Sequence, residues 1–197
     1  MILQERIKNV PIILGSKSPR RKELLSSMDL AFTVEIRETD ESFDESLDPI
    51  SAVKFIAETK LGAFDDNGLY DKLIICADTV VVDHMGTVIG KPKDENEAID
   101  VISGLSGKEH KVYTAVAISY QGKRISFVEE TIVWFNELSD EEIKYYVMKY
   151  KPMDKAGSYG IQEWIGRVGI ERIVGSYENV IGLPTARLQK ELKKMFI

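Results

Sequence analysis

Apolar residues occur along the chain in short blocks. In some blocks they are continuous or alternate with polar residues, as in strands, and in others they recur every three to four residues, as in helices. The pattern predicts strands at residues 12–14, 32–36, 73–82, 87–89, 112–120, 123–136 and 170–175. It predicts helices at residues 20–27, 49–64, 94–105, 139–149 and 184–196. Such a mixture indicates an α/β or α+β fold, and we favour a two-lobed α/β fold with one mixed sheet and a central cleft.

Composition narrows the class of protein. The 197 residues can form one core or two lobes that share a sheet, and the net charge is −6. An acidic protein is a poor general partner for nucleic acid, because that affinity comes mainly from neutralising phosphates. Cys76 is the single cysteine, which excludes an internal disulfide framework. Residues 1–10 lack the apolar core of a signal peptide, and no apolar run approaches the ~20 residues of a membrane span. We therefore expect a cytoplasmic protein without a membrane partner.

A basic cluster follows the first predicted strand, where the sequence reads Ser16-Lys17-Ser18-Pro19-Arg20-Arg21. Pro19 suits the first position of a helix. A turn from strand to helix collects free backbone N–H groups, and arginine side chains match phosphate oxygens. The segment is either a solvated first turn or an anion site. A basic first turn opposes the helix dipole, which favours the anion site.

Two further charges interrupt apolar patterns. Lys60 lies four residues after Ile56 on the apolar stripe of its predicted helix, so it either extends past the edge or reaches toward an anion. Asp78 interrupts the apolar run of residues 73–82, where a carboxylate is costly unless it binds a cation or accepts hydrogen bonds. Asp78 is therefore a candidate metal ligand or general base, and the plain alternative is an aspartate that caps a strand end.

Weaker signals lie in three other segments. The polar loop after the second predicted strand contains Asp40, Glu41, Asp44 and Glu45, and Glu41 or Asp44 is a candidate to join Asp78 around a metal. Lys91 in Gly90-Lys91-Pro92 supplies a cation directly after a strand, outside any P-loop pattern. Gln162 ends a segment of small residues at 154–162, and a glutamine amide can pair with the edge of a base.

These segments together resemble the Maf (septum formation inhibitor) family. The first of them, residues 16–25, reads SKSPRRKELL and is similar to the family's opening motif. The others occur in the family's order at residues 77–81, 90–92, 106–116, 154–162 and 175–184. Each motif alone is a weak indicator of the family, but six motifs in the family's order across nearly the whole chain are highly specific for it.

The resemblance implies an inosine triphosphatase-like fold and a hydrolase that converts a nucleoside triphosphate to the monophosphate and pyrophosphate with a divalent metal cation, Mg²⁺ or Mn²⁺. It implies that Asp78 is the proton acceptor and that Asp78 and Glu41 lie at the metal. The positions associated with base selection match Arg20, Thr79 and Gln162, and the phosphate-facing positions match Ser16, Arg21, Lys60 and Lys91. The resemblance is also compatible with a homodimer.

The segment DKAGSYGIQ at residues 154–162 is similar to the sequence of the subgroup that acts on dTTP and UTP. The resemblance therefore implies a preference for these two substrates. The pair Glu163-Trp164 departs from the glycine that many relatives have after the glutamine. Two alternatives stay open. One is a pyrophosphatase for a modified purine triphosphate such as 7-methyl-GTP, and the other is a nucleotide-sensing regulator of cell division that does not hydrolyse its ligand.

Overall fold

The computed structural model describes residues 1–44, 46–65 and 67–197. Glu45, one of the four acidic residues of the polar loop, therefore lies outside the described residues. The helices are α1 (Leu3–Arg6), α2 (Pro19–Ser26), α3 (Pro49–Gly62), α4 (Glu95–Leu105), α5 (Asp140–Tyr150), α6 (Trp164–Val168), α7 (Tyr177–Ile181) and α8 (Thr185–Met195). The strands are β1 (Ile12–Leu14), β2 (Thr33–Val34), β3 (Leu73–Val82), β4 (Val88–Ile89), β5 (Glu109–Tyr120), β6 (Lys123–Phe135) and β7 (Ile170–Val174).

One mixed sheet contains all seven of these strands, which confirms the predicted mixed α/β class. The strand order is β2-β1-β3-β5-β6-β7, and β4 pairs with β3 off this path. β1 pairs in parallel with both β2 and β3, whereas the β3–β4 and β6–β7 pairs are antiparallel. Residues Gln121 and Gly122 both have positive φ and join β5 to β6, as expected for the predicted two-residue hairpin turn.

The chain divides into two compact units. The first contains Met1–Asp78, Thr114–Glu129 and Gly182–Ile197, and the second contains Thr79–Tyr113 and Glu130–Ile181. The core of the first unit includes Leu14 and Leu25 with residues of β3, β5 and α8. The core of the second unit includes Ile102, Tyr146 and Ile165, which come from α4, α5 and α6.

Local sequence signals account for most of the element boundaries. The side chain of Asp48 accepts hydrogen bonds from the first backbone N–H groups of α3, and Ser139 and Glu142 form a capping box at the start of α5. β2 is shorter than the predicted strand because only Thr33 and Val34 pair with β1. The short helices α1, α6 and α7 were not predicted, since four or five residues are too few to show a helical period.

Within residues 1–44, 46–65 and 67–197, no helix combines the length and the apolar character that crossing a membrane requires.

Gly15 provides a test of the packing between the β1–α2 turn and β3. A Cβ atom at Gly15 would lie 2.6 Å from Cys76 Sγ and 2.9 Å from the Phe64 ring. We expect Gly15→Ala to lower the free energy of unfolding by about 1–3 kcal/mol, because the buried neighbours must shift. Urea denaturation measures this change.

The matched control is Gly62→Ala. An added Cβ at this position would have no atom of the described residues within 4 Å. This substitution at the end of α3 should leave stability unchanged or raise it by up to about 1 kcal/mol. Equal unfolding midpoints for the two variants would contradict the packing argument.

His110 makes the stability of the second unit depend on pH. Burial lowers the pKa of His110 from 6.5 to about 4, and its Nε2 atom lies 2.8 Å from the Tyr159 hydroxyl. The unfolded chain binds this proton more readily than the folded chain. The contribution of neutral His110 to the free energy of unfolding is therefore fully present above about pH 6.5 and is lost as the pH falls toward 4.

Between pH 7 and pH 5, the free energy of unfolding of the wild type should fall by about 2 kcal/mol more than that of His110→Gln. Urea denaturation at the two pH values measures this difference. Parallel pH profiles for the two proteins would show that His110 is not the titrating group.

Candidate functional site

The β1–α2 turn holds Ser16 and Arg21 together in the first unit. Pro19 occupies the start of α2, and Ser18 is the N-cap, whose hydroxyl accepts a hydrogen bond from the Arg21 backbone N–H. Ser16 Oγ in turn accepts hydrogen bonds from the Ser18 N–H and from Arg21 Nη1, both at 3.3 Å. The turn therefore orients a buried hydroxyl and a guanidinium toward each other.

Arg21 is further held by residues far along the chain. Its Nε donates a 2.8 Å hydrogen bond to the carbonyl oxygen of Gly182. Burial lowers the pKa of Arg21, and the negative charges of Asp78 and Glu41 oppose this shift. A guanidinium stays charged in proteins, so this side chain contributes a fixed positive charge beside the two carboxylates.

Lys60 lies between those carboxylates. Its ammonium is 2.7 Å from Asp78 Oδ1 and 3.1 Å from Glu41 Oε1. The side chains of Lys60 and Asp78 are 16% and 17% exposed, whereas Glu41, in the loop after β2, is 53% exposed. Lys60, which the sequence predicts either to extend past the edge of α3 or to reach toward an anion, contacts these two carboxylates. A lysine so placed needs such partners.

Asp78 marks the point where the buried pattern of β3 is broken. Residues Leu73–Ala77 and Val80–Val82 are buried, and only Asp78 and Thr79 between them are partly exposed. The strand thus presents a carboxylate at a partly open position between two apolar runs. Asp78 pairs with a cation, as the cost of a lone carboxylate in this strand requires.

Of the two acidic candidates in the loop, the structure brings Glu41 to this cluster. Asp44 is exposed, and its carboxylate accepts a hydrogen bond from the backbone N–H of Ser46. Within the described part of the chain, no group of three or more His, Cys, Asp or Glu side chains could hold a metal ion. The pair Asp78 and Glu41 nevertheless suits Mg²⁺, which commonly uses one or two carboxylates together with substrate phosphates.

The other predicted residues are divided between the two units. Arg20 follows Pro19 on α2 and is half-buried, while Lys17 and Lys22 are exposed. Thr79, Lys91 and Gln162 belong to the second unit, where Lys91 is exposed after β4 and Gln162 is half-buried before α6. The first unit therefore brings together Ser16, Arg21, Glu41, Lys60 and Asp78.

Cys76 plays no chemical part in this arrangement. It is fully buried, and burial raises the pKa of its thiol to about 12. A neutral thiol is a poor nucleophile, so Cys76 acts as a small core residue. Its sulfur lies close to Gly15, where the absence of a side chain leaves room for it.

The second unit contains a buried charged network around Glu163 that the sequence did not indicate. Lys155 is 7% exposed, and its ammonium lies 2.9 Å from Asp154 Oδ1 and 3.2 Å from Glu163 Oε1. Tyr146 donates a hydrogen bond to Glu163. Tyr146 lies on α5 and is fully buried.

Comparison with known proteins places the chain in a family. The family model described as Maf-like protein matches residues 11–195. A protein named dTTP/UTP pyrophosphatase from Parabacteroides distasonis is 46% identical over 96% of this chain and 98% of its own length. A protein of the same name from Phocaeicola vulgatus is 48% identical over 97% of this chain and 99% of its own length.

A solved structure supports the fold class. The structure of the Ham1 protein of Staphylococcus aureus has a TM-score of 0.52, with 12% sequence identity over 94% of this chain and 99% of that one. This likeness concerns the fold. The nearly complete match to the family model and the high identity to full-length relatives show that the chain belongs to the Maf-like protein family.

Proposed function

We propose that the protein hydrolyses nucleoside triphosphates, with dTTP and UTP as its substrates, to the monophosphate and pyrophosphate. The observation that carries the proposal is the cluster in which Lys60 bridges Asp78 and Glu41 beside the charge of Arg21. The names of the relatives from Parabacteroides distasonis and Phocaeicola vulgatus indicate the same reaction and substrates.

In this proposal the cations of the first unit bind the triphosphate. The Arg21 guanidinium and the Ser16 hydroxyl are held side by side, which suits them to donate to phosphate oxygens. Lys60 can attract the same anion while its hydrogen bond orients the Asp78 carboxylate. Lys91 supplies a further cation by resemblance to the family, and this role stays a prediction.

Asp78 acts as the proton acceptor. A water oxygen attacks the α-phosphorus, its proton passes to the Asp78 carboxylate, and the bond from the α-phosphorus to the bridging oxygen breaks. Pyrophosphate leaves with the bridging oxygen. Asp78 and Glu41 would hold a divalent cation, and that cation would neutralise the charge that develops on the phosphate oxygens.

Resemblance to the family assigns base selection to Arg20, Thr79 and Gln162. Gln162 Oε1 is buried and has no hydrogen-bond partner among the residues that the structure describes. Uracil and thymine each carry a ring N–H at the pairing edge, and an amide oxygen is a suitable acceptor for it. The roles of Arg20, Thr79 and Gln162 in base selection remain predictions.

The reaction itself can be tested with a triphosphate panel. We expect pyrophosphate release from dTTP and UTP in the presence of Mg²⁺ or Mn²⁺, and weaker release from CTP and 7-methyl-GTP. Asp78→Asn should lower kcat by about 100-fold or more, because it removes the proton acceptor. Coupled detection of pyrophosphate measures both results.

Asp100→Asn is the matched control, since Asp100 is an exposed carboxylate on α4. It should retain wild-type turnover. Near-normal turnover in a folded Asp78→Asn protein would overturn the assignment of the base. Binding of nucleotides without any hydrolysis would favour a regulatory module, and a preference for 7-methyl-GTP would favour a purine pyrophosphatase.

Metal dependence gives a separate test of the two carboxylates. Chelation should lower pyrophosphate release by about 100-fold or more, since uncompensated charge on the phosphates then opposes the reaction. Added Mg²⁺ or Mn²⁺ should restore it. Glu41→Gln should raise the metal concentration needed for half-maximal rate more than it lowers the maximal rate.

The exposed Glu38 belongs to the same loop, so Glu38→Gln is the control for Glu41→Gln. Full turnover in the chelated enzyme would contradict a role for metal. The same metal requirement in Glu41→Gln and in wild type would remove Glu41 from the proposed site.

A further inference from the structure

Gln162 lies in a tight turn that its neighbours close. The backbone N–H of Glu163 donates a 3.0 Å hydrogen bond to the carbonyl oxygen of Gly160, so residues 160–163 form a four-residue turn. Gln162 occupies the third position of this turn, after the buried Ile161. The position of the Gln162 amide therefore depends on what holds the two ends of the turn.

One hydroxyl group contacts both ends. The Tyr146 hydroxyl accepts a 2.9 Å hydrogen bond from the Gly160 N–H and donates a hydrogen bond to the Glu163 carboxylate. Tyr146 is fully buried on α5. Burial and the nearby Glu163 carboxylate raise the pKa of Tyr146, so the hydroxyl keeps the proton that it donates.

The Glu163 carboxylate folds back over the start of its own turn. A Cβ atom at Gly160 would lie 2.8 Å from Glu163 Cδ and 3.0 Å from Glu163 Oε2. Only a glycine at position 160 permits this close approach without displacement. The carboxylate and the turn backbone are thus packed directly against each other.

Lys155 compensates the charge of this carboxylate. Its ammonium lies 3.2 Å from Glu163 Oε1, and both side chains are largely shielded from water, at 8% and 18% exposure. Removing one partner of a buried ion pair leaves the other charge uncompensated, so the pair is strongly coupled. Glu163 is therefore restrained from two directions, by a cation and by a hydroxyl group.

We propose that Glu163 is a positioning residue for base discrimination: held by Lys155 and Tyr146, it fixes the turn that presents the Gln162 amide to the base. This inference rests on the proposed function. The ligand class is a pyrimidine triphosphate whose base has a ring N–H at its pairing edge, as uracil and thymine do. Cytosine has an acceptor at that ring position and is the natural comparison.

The test measures kcat and KM for UTP and CTP in the wild type, Glu163→Gln and Glu163→Ala. In Glu163→Ala, KM for UTP should rise about tenfold, the equivalent of one hydrogen bond to the base, with kcat changed by less than about twofold. The ratio of kcat/KM for UTP to that for CTP should fall by a similar factor. Glu163→Gln keeps an acceptor for Tyr146 and should recover part of the ratio.

Glu171→Ala is the control, because Glu171 is an exposed glutamate on β7 of the same unit. It should leave both KM values and the ratio unchanged. A purely structural role of Glu163 would lower activity toward UTP and CTP equally, and an unchanged ratio in folded Glu163→Ala would overturn the proposal.

Two further measurements keep the result decisive. If Glu163→Ala does not fold, Tyr146→Phe retains the ring, removes the hydroxyl and should lower the UTP-to-CTP ratio in the same direction. Calorimetric Kd values for UTP and CTP test the same discrimination without turnover. Absence of hydrolysis in the wild type would overturn the proposed function, whereas equal Kd ratios in wild type and both variants would overturn the role of Glu163.

Discussion

The contact of the Lys60 ammonium with Asp78 and Glu41 is the interaction on which the site depends. Lys60 lies on the apolar stripe of α3 and Asp78 lies inside the apolar strand β3, and each charge alone would be costly there. Together they compensate each other while both stay partly exposed. The pair therefore removes the cost of either lone charge and leaves a cation and a carboxylate partly exposed.

The β1–α2 turn adds a second positive charge to this pair. Arg21 is anchored by hydrogen bonds to the Gly182 carbonyl and to Ser16. The charges of Asp78 and Glu41 also act on it through space. An arrangement of fixed cations around partly open carboxylates suits a polyanionic substrate, because binding requires little reorganisation of the protein.

Lys155 and Lys60 differ in how far their side chains are exposed. Lys155 contacts Asp154 and Glu163 inside the second unit, where its side chain is 8% exposed. Lys60 also contacts two carboxylates, and its own side chain is 16% exposed. In the two proposals, Lys155 acts on the ligand through the turn that it holds, whereas Lys60 contacts the ligand directly.

The sequence by itself determined the long helices and strands and the types of charged residue at the candidate site. Apolar runs, capping residues and the hairpin turn predicted β3, α3, α5 and the β5–β6 pair, because these signals are local. Interruption of apolar patterns identified Lys60 and Asp78, since a buried charge needs a partner wherever it lies. Only the tertiary structure decided which partners those are. The structure brings Glu41 rather than Asp44 to Lys60, and it anchors Arg21 on the Gly182 carbonyl. It also assembles the network of Tyr146, Lys155 and Glu163. These contacts join residues that are not neighbours in the sequence. No local pattern encodes such contacts, because they arise from the packing of the whole unit.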